Sequence, residues 1–341
     1  MTTQEALFKL LRIALGKEEP SAFPDDVNWQ VVYQLSLKQD VGAIACDGLY
    51  ALPECNIDED LRYMWLGQSM VVEQKYQHYF NVANKMSELF AQNQIKTYVL
   101  KGLSFASYYP VPYHRSSSDL DICLLSDFEK GNKLIEKSGV AVDRSESKHS
   151  HFTVSGVHVE NHQFCIGGKG SQKDKNKERT FQRLLSQGSD QIEGSLLRRP
   201  IGDFNALFCM YHARTHFLVE EGITLKHVCD WIVLRSTISK DFWKECEELG
   251  LTKFAVSLDN VAGFVSGDDG VSLTREGQLM LDAILSTKEH ESSSSKTMAR
   301  IHILKMIWNN RWKYRYYSDT NPIKTMISFI WGHLFEKNPK L

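Results

Sequence analysis

Residues 98–125 read YVLKGLSFASYYPVPYHRSSSDLDICLL, and this stretch carries the features that decide the fold. It opens with an apolar run, continues through Lys101 and Gly102, and closes with Asp119 and Asp121 inside a second apolar run. Side chains alternate across a strand, so carboxylates at positions i and i+2 point to the same face. Paired carboxylates repel each other, and a divalent cation with oxygen ligands commonly offsets that repulsion. The stretch therefore predicts a strand, a glycine turn, a short helix and a metal-binding strand.

The composition is that of an ordinary globular protein. The chain has 341 residues, enough for two or three domains, and its hydrophobic share of 42% and charged share of 24% are typical of soluble proteins. A net charge of −2 creates no global attraction to nucleic acid or membranes. Seven scattered cysteines without a CxxC pair favour reduced thiols and a cytoplasmic location. The N-terminus lacks a signal-peptide pattern, and the apolar run 326–335 is too short to span a bilayer.

Hydrophobic periodicity predicts an α+β fold class, with a small mixed-sheet core flanked by helical regions. The predicted domains are a helical N-terminal region over residues 1–94, an α/β core over 95–180 and a helical C-terminal domain over 181–341. Helices are predicted over residues 6–14, 29–38, 42–52, 58–92, 104–109, 128–137, 204–219, 224–234, 242–249, 251–265, 274–285 and 296–308. Strands are predicted over residues 97–100, 120–125, 140–142, 151–154 and 157–166.

Two basic stretches each have two interpretations. Residues 167–177, GGKGSQKDKNK, form either a mobile surface loop, the commoner case for this composition, or an electrostatic clamp on phosphates. The tail after residue 300 interleaves basic and aromatic residues. Such a tail can stack on bases or lie at a lipid surface, but more often it is a helix whose aromatic side chains pack inward.

Three acidic residues are the candidates for catalysis and metal binding. Asp119 and Asp121 lie in an apolar strand, where solvent exposure is not the default, although DxD pairs also occur by chance in turns. Glu160 is the candidate third acid, because it lies on a strand predicted to join the same small sheet; the alternative is an exposed strand glutamate. His162 shares the face of Glu160, where it could orient the carboxylate, contact substrate or pack as a core histidine.

Five nearby residues are candidates for binding a nucleotide: Lys101, Gly102, Ser104, Arg115 and Ser117. Guanidinium and hydroxyl groups bind phosphate, and a glycine turn lets backbone N–H groups approach it closely. Carboxylates that converge beside such a turn suit phosphoryl chemistry with two Mg²⁺ ions. One ion would lower the pKa of an attacking hydroxyl, and the other would stabilise the pyrophosphate leaving group.

Two further pairs have the i, i+4 spacing that places side chains on one helical face. His212 and His216 lack an HExxH pattern or an obvious third ligand, so a substrate-facing or structural pair is favoured over zinc. Lys226 and Asp230 either face the same cleft or form a surface ion pair with each other.

This set of residues resembles the DNA polymerase β-like nucleotidyltransferase superfamily, and most closely a poorly characterised bacterial nucleotidyltransferase family. The superfamily usually has Gly-Gly or Gly-Ser at the turn, whereas Leu103 separates Gly102 from Ser104 here. The matching positions, over residues 98–235, are Lys101, Gly102, Tyr109, Pro110, Pro112, Arg115, Asp119, Asp121, Glu160, His162, His212, His216 and Asp230.

The resemblance implies a nucleotidyltransferase fold, a nucleoside triphosphate such as ATP as substrate, and two Mg²⁺ ions held by Asp119, Asp121 and Glu160. The expected reaction moves a nucleoside monophosphate to a hydroxyl or phosphate acceptor and releases pyrophosphate. One alternative is a non-catalytic nucleotide-binding regulatory module. The other is an RNA-modifying nucleotidyltransferase of a toxin or defence system. The acceptor, which could be a small molecule, protein or RNA, stays open, as do the base preference and the oligomeric state.

Overall fold

The structure is a computed structural model that describes residues 1–146, 148–166, 172–219, 222–286, 308, 310–318 and 323. Within these residues the chain forms a mixed sheet surrounded by helices, which confirms the predicted α+β class. The helices are α1 (Thr3–Ala14), α2 (Trp29–Lys38), α3 (Gly42–Tyr50), α4 (Glu59–Gln92), α5 (Gly102–Ala106), α6 (Phe128–Lys137), α7 (Gln172–Ser186), α8 (Asp203–Val219), α9 (Leu225–Leu234), α10 (Phe242–Leu249), α11 (Thr252–Ser266), α12 (Arg275–Leu285) and α13 (Arg311–Tyr317). The strands are β1 (Tyr98–Val99), β2 (Leu120–Cys123), β3 (His149–Val154), β4 (Val157–His162), β5 (Ser189–Gln191) and β6 (Arg198–Pro200).

The sheet has the strand order β3-β4-β2-β1-β6-β5. Strand β2 lies parallel to β4 and antiparallel to β1, and β1 lies parallel to β6. The two edge strands are β3, which pairs antiparallel with β4, and β5, which pairs antiparallel with β6. Parallel strands need a crossover connection, and α6 lies in the one between β2 and β4.

Alternation along β2 separates a packed face of the sheet from a polar one. Leu120 and Ile122 are buried with Val159 of β4 in a hydrophobic cluster that also contains Met86 and Phe90 of α4. The intervening residue of β2 is an aspartate, and it points to the opposite face. The apolar face therefore fixes the register, because a shift by one residue would expose these side chains.

The N-terminal and C-terminal helices share one large hydrophobic core. Phe8 of α1 contacts Phe264 of α11, with ring centroids 6.3 Å apart in an edge-to-face arrangement. The buried amide of Gln39 donates to the carbonyl of Ile284 at 3.1 Å and accepts from the N–H of Leu225 at 3.0 Å. Elements far apart in sequence are thus joined by apolar packing and by buried hydrogen bonds.

Several predicted elements differ from the structure. Residues 140–142 form no strand, since only Asp143 makes an isolated bridge, with His151. Strand β4 ends at residue 162, because the N–H groups of Cys165 and Ile166 bind the carboxylate of Glu178 at 3.0 and 2.9 Å instead of a neighbouring strand. Strands β5 and β6 were not predicted, and they extend the sheet beyond residue 180. Their short polar sequences lack the alternation that indicates a strand.

The two basic stretches lie partly outside the described residues. Residues 172–177 form the start of α7, so the predicted loop is wrong there, and residues 167–171 are not described. The predicted helix 296–308, apart from Trp308, and the run 326–335 also lie outside the described residues. In α13, Tyr314 and Tyr317 are buried as expected. Lys313 is buried as well, with its ammonium 4.2 Å from the centroid of the Phe217 ring. No helix in the described part of the chain is long and apolar enough to span a membrane.

The contact between α1 and α3 predicts a stability difference between two glycines. A Cβ atom on Gly48 would lie 2.1 Å from the backbone oxygen of Leu10, whereas one on Gly67 of α4 would meet nothing within 4 Å. Gly48→Ala should lower the free energy of unfolding by about 1–3 kcal/mol through overpacking. Gly67→Ala, the matched control on an exposed helical position, should raise it by about 0.5–1 kcal/mol. Urea denaturation monitored by circular dichroism measures both, and equal effects would contradict this packing.

Candidate active site

The three predicted acids converge at the polar face of the sheet. Asp121 and Glu160 are register partners in the parallel pair β2 and β4, so their side chains leave the same face side by side. Asp119 precedes β2 by one residue and has the same parity as Asp121. One carboxylate oxygen from each of the three residues lies within 4.8 Å of the others. A strand pairing that is remote in sequence thus assembles the acid cluster, which we define as Asp119, Asp121 and Glu160.

The ammonium of Lys101 and the imidazole of His162 stabilise the charge of Asp121, which is 1% exposed. The ammonium of Lys101 lies 2.7 Å from Oδ1, and Nε2 of His162 lies 2.9 Å from the same oxygen. Burial by itself raises the pKa of Asp121, but Lys101 and His162 hold this pKa below its ordinary value. Burial likewise opposes the charge of Lys101, and the neighbouring Asp121 and Asp119 raise its pKa above the ordinary value. The buried carboxylate is therefore ionised.

The second oxygen of Asp121 is the clearest indication that the acid cluster suits a cation. Among the described residues, no group hydrogen-bonds this buried Oδ2 atom. Burial and the charge of Asp121 also raise the pKa of Asp119. An unpaired buried carboxylate oxygen is costly, and a hard cation such as Mg²⁺ prefers ligands of this kind. The donor set therefore fits a divalent metal ion.

The glycine turn is held against the acid cluster by the chain itself. Lys101 has a φ of 45°, a strained conformation for a residue with a side chain, and it is the N-cap residue directly before α5. A Cβ atom on Gly102 would lie 2.9 Å from the hydroxyl oxygen of Ser117. That hydroxyl donates to the backbone carbonyl of Asp119 at 3.0 Å. The absence of a side chain at position 102 thus lets the turn approach the segment that carries the acids.

Ser104, predicted to bind the triphosphate, is placed elsewhere by the structure. It is fully buried in α5, and its hydroxyl donates to Oδ1 of Asn205 at 3.1 Å. Ser104 is the third residue of α5, so its side chain belongs to the helix rather than to the turn that precedes it. The side chain of Ser104 therefore joins α5 to α8 rather than facing a phosphate.

Arg115, also predicted to bind phosphate, forms a buried two-point ion pair with Asp230. Its Nε lies 2.9 Å from Oδ1 and its Nη2 lies 2.7 Å from Oδ2, while Nη1 donates to the carbonyl of Ser116 at 2.9 Å. The hydroxyl of Tyr109 also donates to Oδ1 of Asp230, at 2.8 Å. Every nitrogen of the guanidinium is thus engaged by the protein. The pair joins α9 to the segment that precedes the acid cluster.

Of the two alternatives for Lys226 and Asp230, the surface ion pair between them is wrong. Lys226 pairs with Asp40 at 3.2 Å near the surface, whereas Asp230 turns inward to the arginine. Residues four apart share a helical face. The two side chains nevertheless point apart, because Arg115 binds the carboxylate of Asp230 at two points, which is a stronger interaction than a single contact with Lys226.

Comparison with known protein families assigns the chain. The sequence model of a family described as uncharacterised nucleotidyltransferase matches residues 25–260, which is more than half of the chain. The chain belongs to this nucleotidyltransferase family. No curated protein and no solved structure shows significant similarity to it. The matched range contains the acid cluster, the glycine turn and the Arg115–Asp230 pair.

In this nucleotidyltransferase the predicted histidine pair is part of a cluster of three. The ring centroids of His212 and His216 lie 4.1 Å apart, and His227 of α9 lies 6.4 and 6.1 Å from them. Burial lowers the pKa of His227 to about 3. Burial, followed by the charge of Lys101, lowers the pKa of His212 well below its ordinary value. We call His212, His216 and His227 the helical histidine cluster; its member His212 is close enough to Lys101, the partner of Asp121, for the lysine charge to affect its pKa.

Sequence reasoning missed a second lysine of the site and the histidines of β3. Lys148 interacts electrostatically with Lys101, Asp121 and Glu160. Burial and the charge of Lys101 lower the pKa of Lys148. Just after it comes the sequence His149-Ser-His151, whose two imidazoles share one strand face by the period of two. This alternation in the sequence indicates a strand, but the strand was predicted to begin at residue 151, which left His149 outside it.

The Arg115–Asp230 pair predicts a large and pH-dependent stabilisation. Asp230→Asn should lower the free energy of unfolding by about 3–5 kcal/mol, because it leaves a buried guanidinium without its counterion. The pKa of Asp230 is lowered by Arg115, against the effect of burial. The stabilisation is therefore complete above the ordinary carboxyl pKa of about 3.9 and is lost as the pH falls through the lower folded value.

Urea denaturation at pH 7 and at acidic pH tests this prediction. The control is Asp268→Asn, which removes a surface partner of Arg235 at 2.7 Å and should cost about 1 kcal/mol or less. Similar losses in the two variants at pH 7, or a difference from wild type that grows in acid, would contradict the buried ion pair.

Proposed function

We propose that the chain is a Mg²⁺-dependent nucleotidyltransferase. It moves a nucleoside monophosphate from a nucleoside triphosphate, such as ATP, to a hydroxyl or phosphate acceptor and releases pyrophosphate. The observation that carries this proposal is the convergence of Asp119, Asp121 and Glu160 on one sheet face, with Oδ2 of Asp121 left unpaired among the described residues. Membership of a nucleotidyltransferase family supports the same reaction class.

The acid cluster would hold two Mg²⁺ ions. Bound Mg²⁺ supplies a lowered pKa for an attacking hydroxyl and charge neutralisation for the pyrophosphate leaving group. The contribution of the chain is to keep the carboxylates ionised and oriented. Nε2 of His162 lies 2.9 Å from Asp121 and 3.4 Å from Glu160, so one buried imidazole fixes both side chains. The pKa values of Asp121 and Glu160 both lie below their ordinary range.

Lys101 and Lys148 are the residues that we assign to the triphosphate. Both ammonium groups are close enough to the acid cluster to interact with it, and the charge of one lowers the pKa of the other. A polyanion bound beside them would relieve that repulsion. The backbone of Gly102 offers a close approach at the turn, with Ser117 next to it. Lys101, Gly102 and Ser117 keep the role that the sequence analysis gave them, and Lys148 is added in place of Ser104 and Arg115.

Arg115 and Asp230 are positioning residues in this proposal. Their pair holds α9 against the segment that leads into β2, and α9 also carries His227. The cluster of His212, His216 and His227 would therefore face an acceptor that approaches the acid cluster from the side of the C-terminal helices. The imidazoles of His212 and His227, whose pKa values are lowered, are neutral at pH 7. A neutral imidazole can accept a hydrogen bond from the hydroxyl of the acceptor substrate or donate one to it.

Asp121→Asn tests the proposed reaction. The substitution removes a charged ligand from the proposed metal site, and we expect the rate of pyrophosphate release to fall about 1,000-fold, since metal-ion stabilisation of the transition state amounts to several kcal/mol. The control is Asp127→Asn, because Asp127 lies in the short 3₁₀ turn after β2 and outside the acid cluster. Circular dichroism verifies that both variants are folded. Pyrophosphate release by Asp121→Asn at the wild-type rate would refute the proposal.

Incubation with each labelled nucleoside triphosphate and cell extract identifies the acceptor. We expect one molecular species to acquire the label from the wild-type protein in the presence of Mg²⁺ and not from Asp121→Asn. Label in RNA would support the RNA-modifying alternative. A thermal shift with nucleotide and Mg²⁺, but neither label transfer nor pyrophosphate release, would instead support a non-catalytic nucleotide-binding module.

A further inference from the structure

The hairpin of β3 and β4 carries a grid of metal-ligating side chains on the face of the acid cluster. His158, Glu160 and His162 alternate along β4, so all three point to one face. His149 and His151 of β3 are the register partners of His162 and Glu160, and partners across a strand pair share a face. Four imidazoles thus surround one carboxylate, at the edge of the sheet, where β3 is the outermost strand.

Three of these residues bring their ligand atoms together. Nδ1 of His151 lies 3.2 Å from Nε2 of His158 and 3.9 Å from Oε1 of Glu160. One ligand atom from each of the three residues lies within 4.8 Å of the others. Tetrahedral zinc with bonds of about 2.0–2.1 Å separates its ligand atoms by about 3.3 Å. The side chains are therefore spaced for an ion of this kind with only small rotations.

The grid differs chemically from the acid cluster. Oε1 of Glu160 faces His149 and His151, at 3.8 and 3.9 Å, whereas Oε2 faces His162 at 3.4 Å. The two oxygens of one carboxylate thus serve two environments. Oxygen ligands alone suit Mg²⁺, whereas imidazole nitrogens favour borderline metals such as zinc. Since His158 is exposed, an ion from solvent can reach this side.

A second ligand set borders the first and strengthens the inference. Nε2 of His151 lies 3.5 Å from Oε1 of Glu146, and Nε2 of His149 lies 3.1 Å from Oε2 of the same glutamate. Nδ1 of His149 is buried, and no described residue hydrogen-bonds it. The carboxylate of Glu146 thus lies next to His151, where it can orient a coordinated imidazole, as is usual around zinc.

We propose that His151, His158 and Glu160 form a binding site for a divalent transition metal of the zinc type, which adjoins the proposed Mg²⁺ site and shares Glu160 with it. Three protein ligands leave a fourth position for water, as in open zinc sites. The proposal does not depend on nucleotidyl transfer, because the ligands and their spacing belong to the hairpin alone. Metal bound to Oε1 would also fix the orientation of the carboxylate that the acid cluster shares.

Zinc binding to the full chain, in the absence of nucleotide and Mg²⁺, tests the proposal. Competition against a chromophoric chelator measures the affinity, and elemental analysis after gel filtration measures the stoichiometry. We expect one tight zinc ion per wild-type chain. His158→Ala and His151→Ala should each weaken binding at least about tenfold, since even outer-shell changes cost about 10–100-fold. His158 is exposed, so its removal should leave the fold intact, which circular dichroism verifies.

Two further variants separate this site from other sources of zinc binding. His78→Ala is the control. Nε2 of His78 lies 2.9 Å from the carbonyl of Ser155, which is in the turn of the same hairpin, but His78 is not one of the proposed ligands. This variant should bind zinc like wild type. Asp121→Asn should also retain tight zinc. Loss of zinc in Asp121→Asn but not in His158→Ala would place the ion in the acid cluster and overturn the proposal. Equal affinity in wild type and His158→Ala would overturn it as well.

Discussion

The buried charge of Asp121 is the constraint on which the rest of the structure depends. A carboxylate that is buried on a sheet can stay ionised only if charged or hydrogen-bonding groups reach it, and here Lys101 and His162 do so from two different strand ends. Lys101 can reach it because β1 and β2 are antiparallel neighbours, and His162 because β2 and β4 are parallel neighbours. The strand order of the sheet therefore decides which groups can stabilise the charge on its polar face.

A second buried charge pair links that face to the helical part of the chain. The pair of Arg115 and Asp230 connects residues more than a hundred positions apart, and a further link runs from Gln39 to α9 and α12. Helices from both ends of the chain share one apolar core around these contacts. The segment that carries the acids is thus fixed both by the sheet below it and by helices from the far end of the chain. This double attachment suits a site whose ligands must be held in place.

Histidines accumulate around the same face, and they do so in two separate groups. One group lies on α8 and α9, where burial lowers the pKa of His212 and of His227, while the other lies on β3 and β4 and surrounds Glu160. Lys101, the partner of Asp121, affects the pKa of His212 in the first group, and Glu160 of the acid cluster faces His149 of the second group at 3.8 Å. Oxygen ligands and nitrogen ligands are consequently offered to different cations on one sheet face, with Glu160 common to both.

The sequence by itself determined the local elements and the identity of the acids. Helix periodicity located α2, α6 and α10 to the residue, and the alternation around Asp121 indicated both the strand and its polar face, because these signals arise from neighbours within a few positions. The partners of individual side chains were decided only by the tertiary structure. Arg115 and Ser104 look like phosphate ligands in sequence, yet each is held by a residue about a hundred positions away. Strands β5 and β6 were not predicted either, since their short polar sequences carry no strand pattern; β6 is ordered by pairing with β1, a hundred positions earlier, and β5 by pairing with β6.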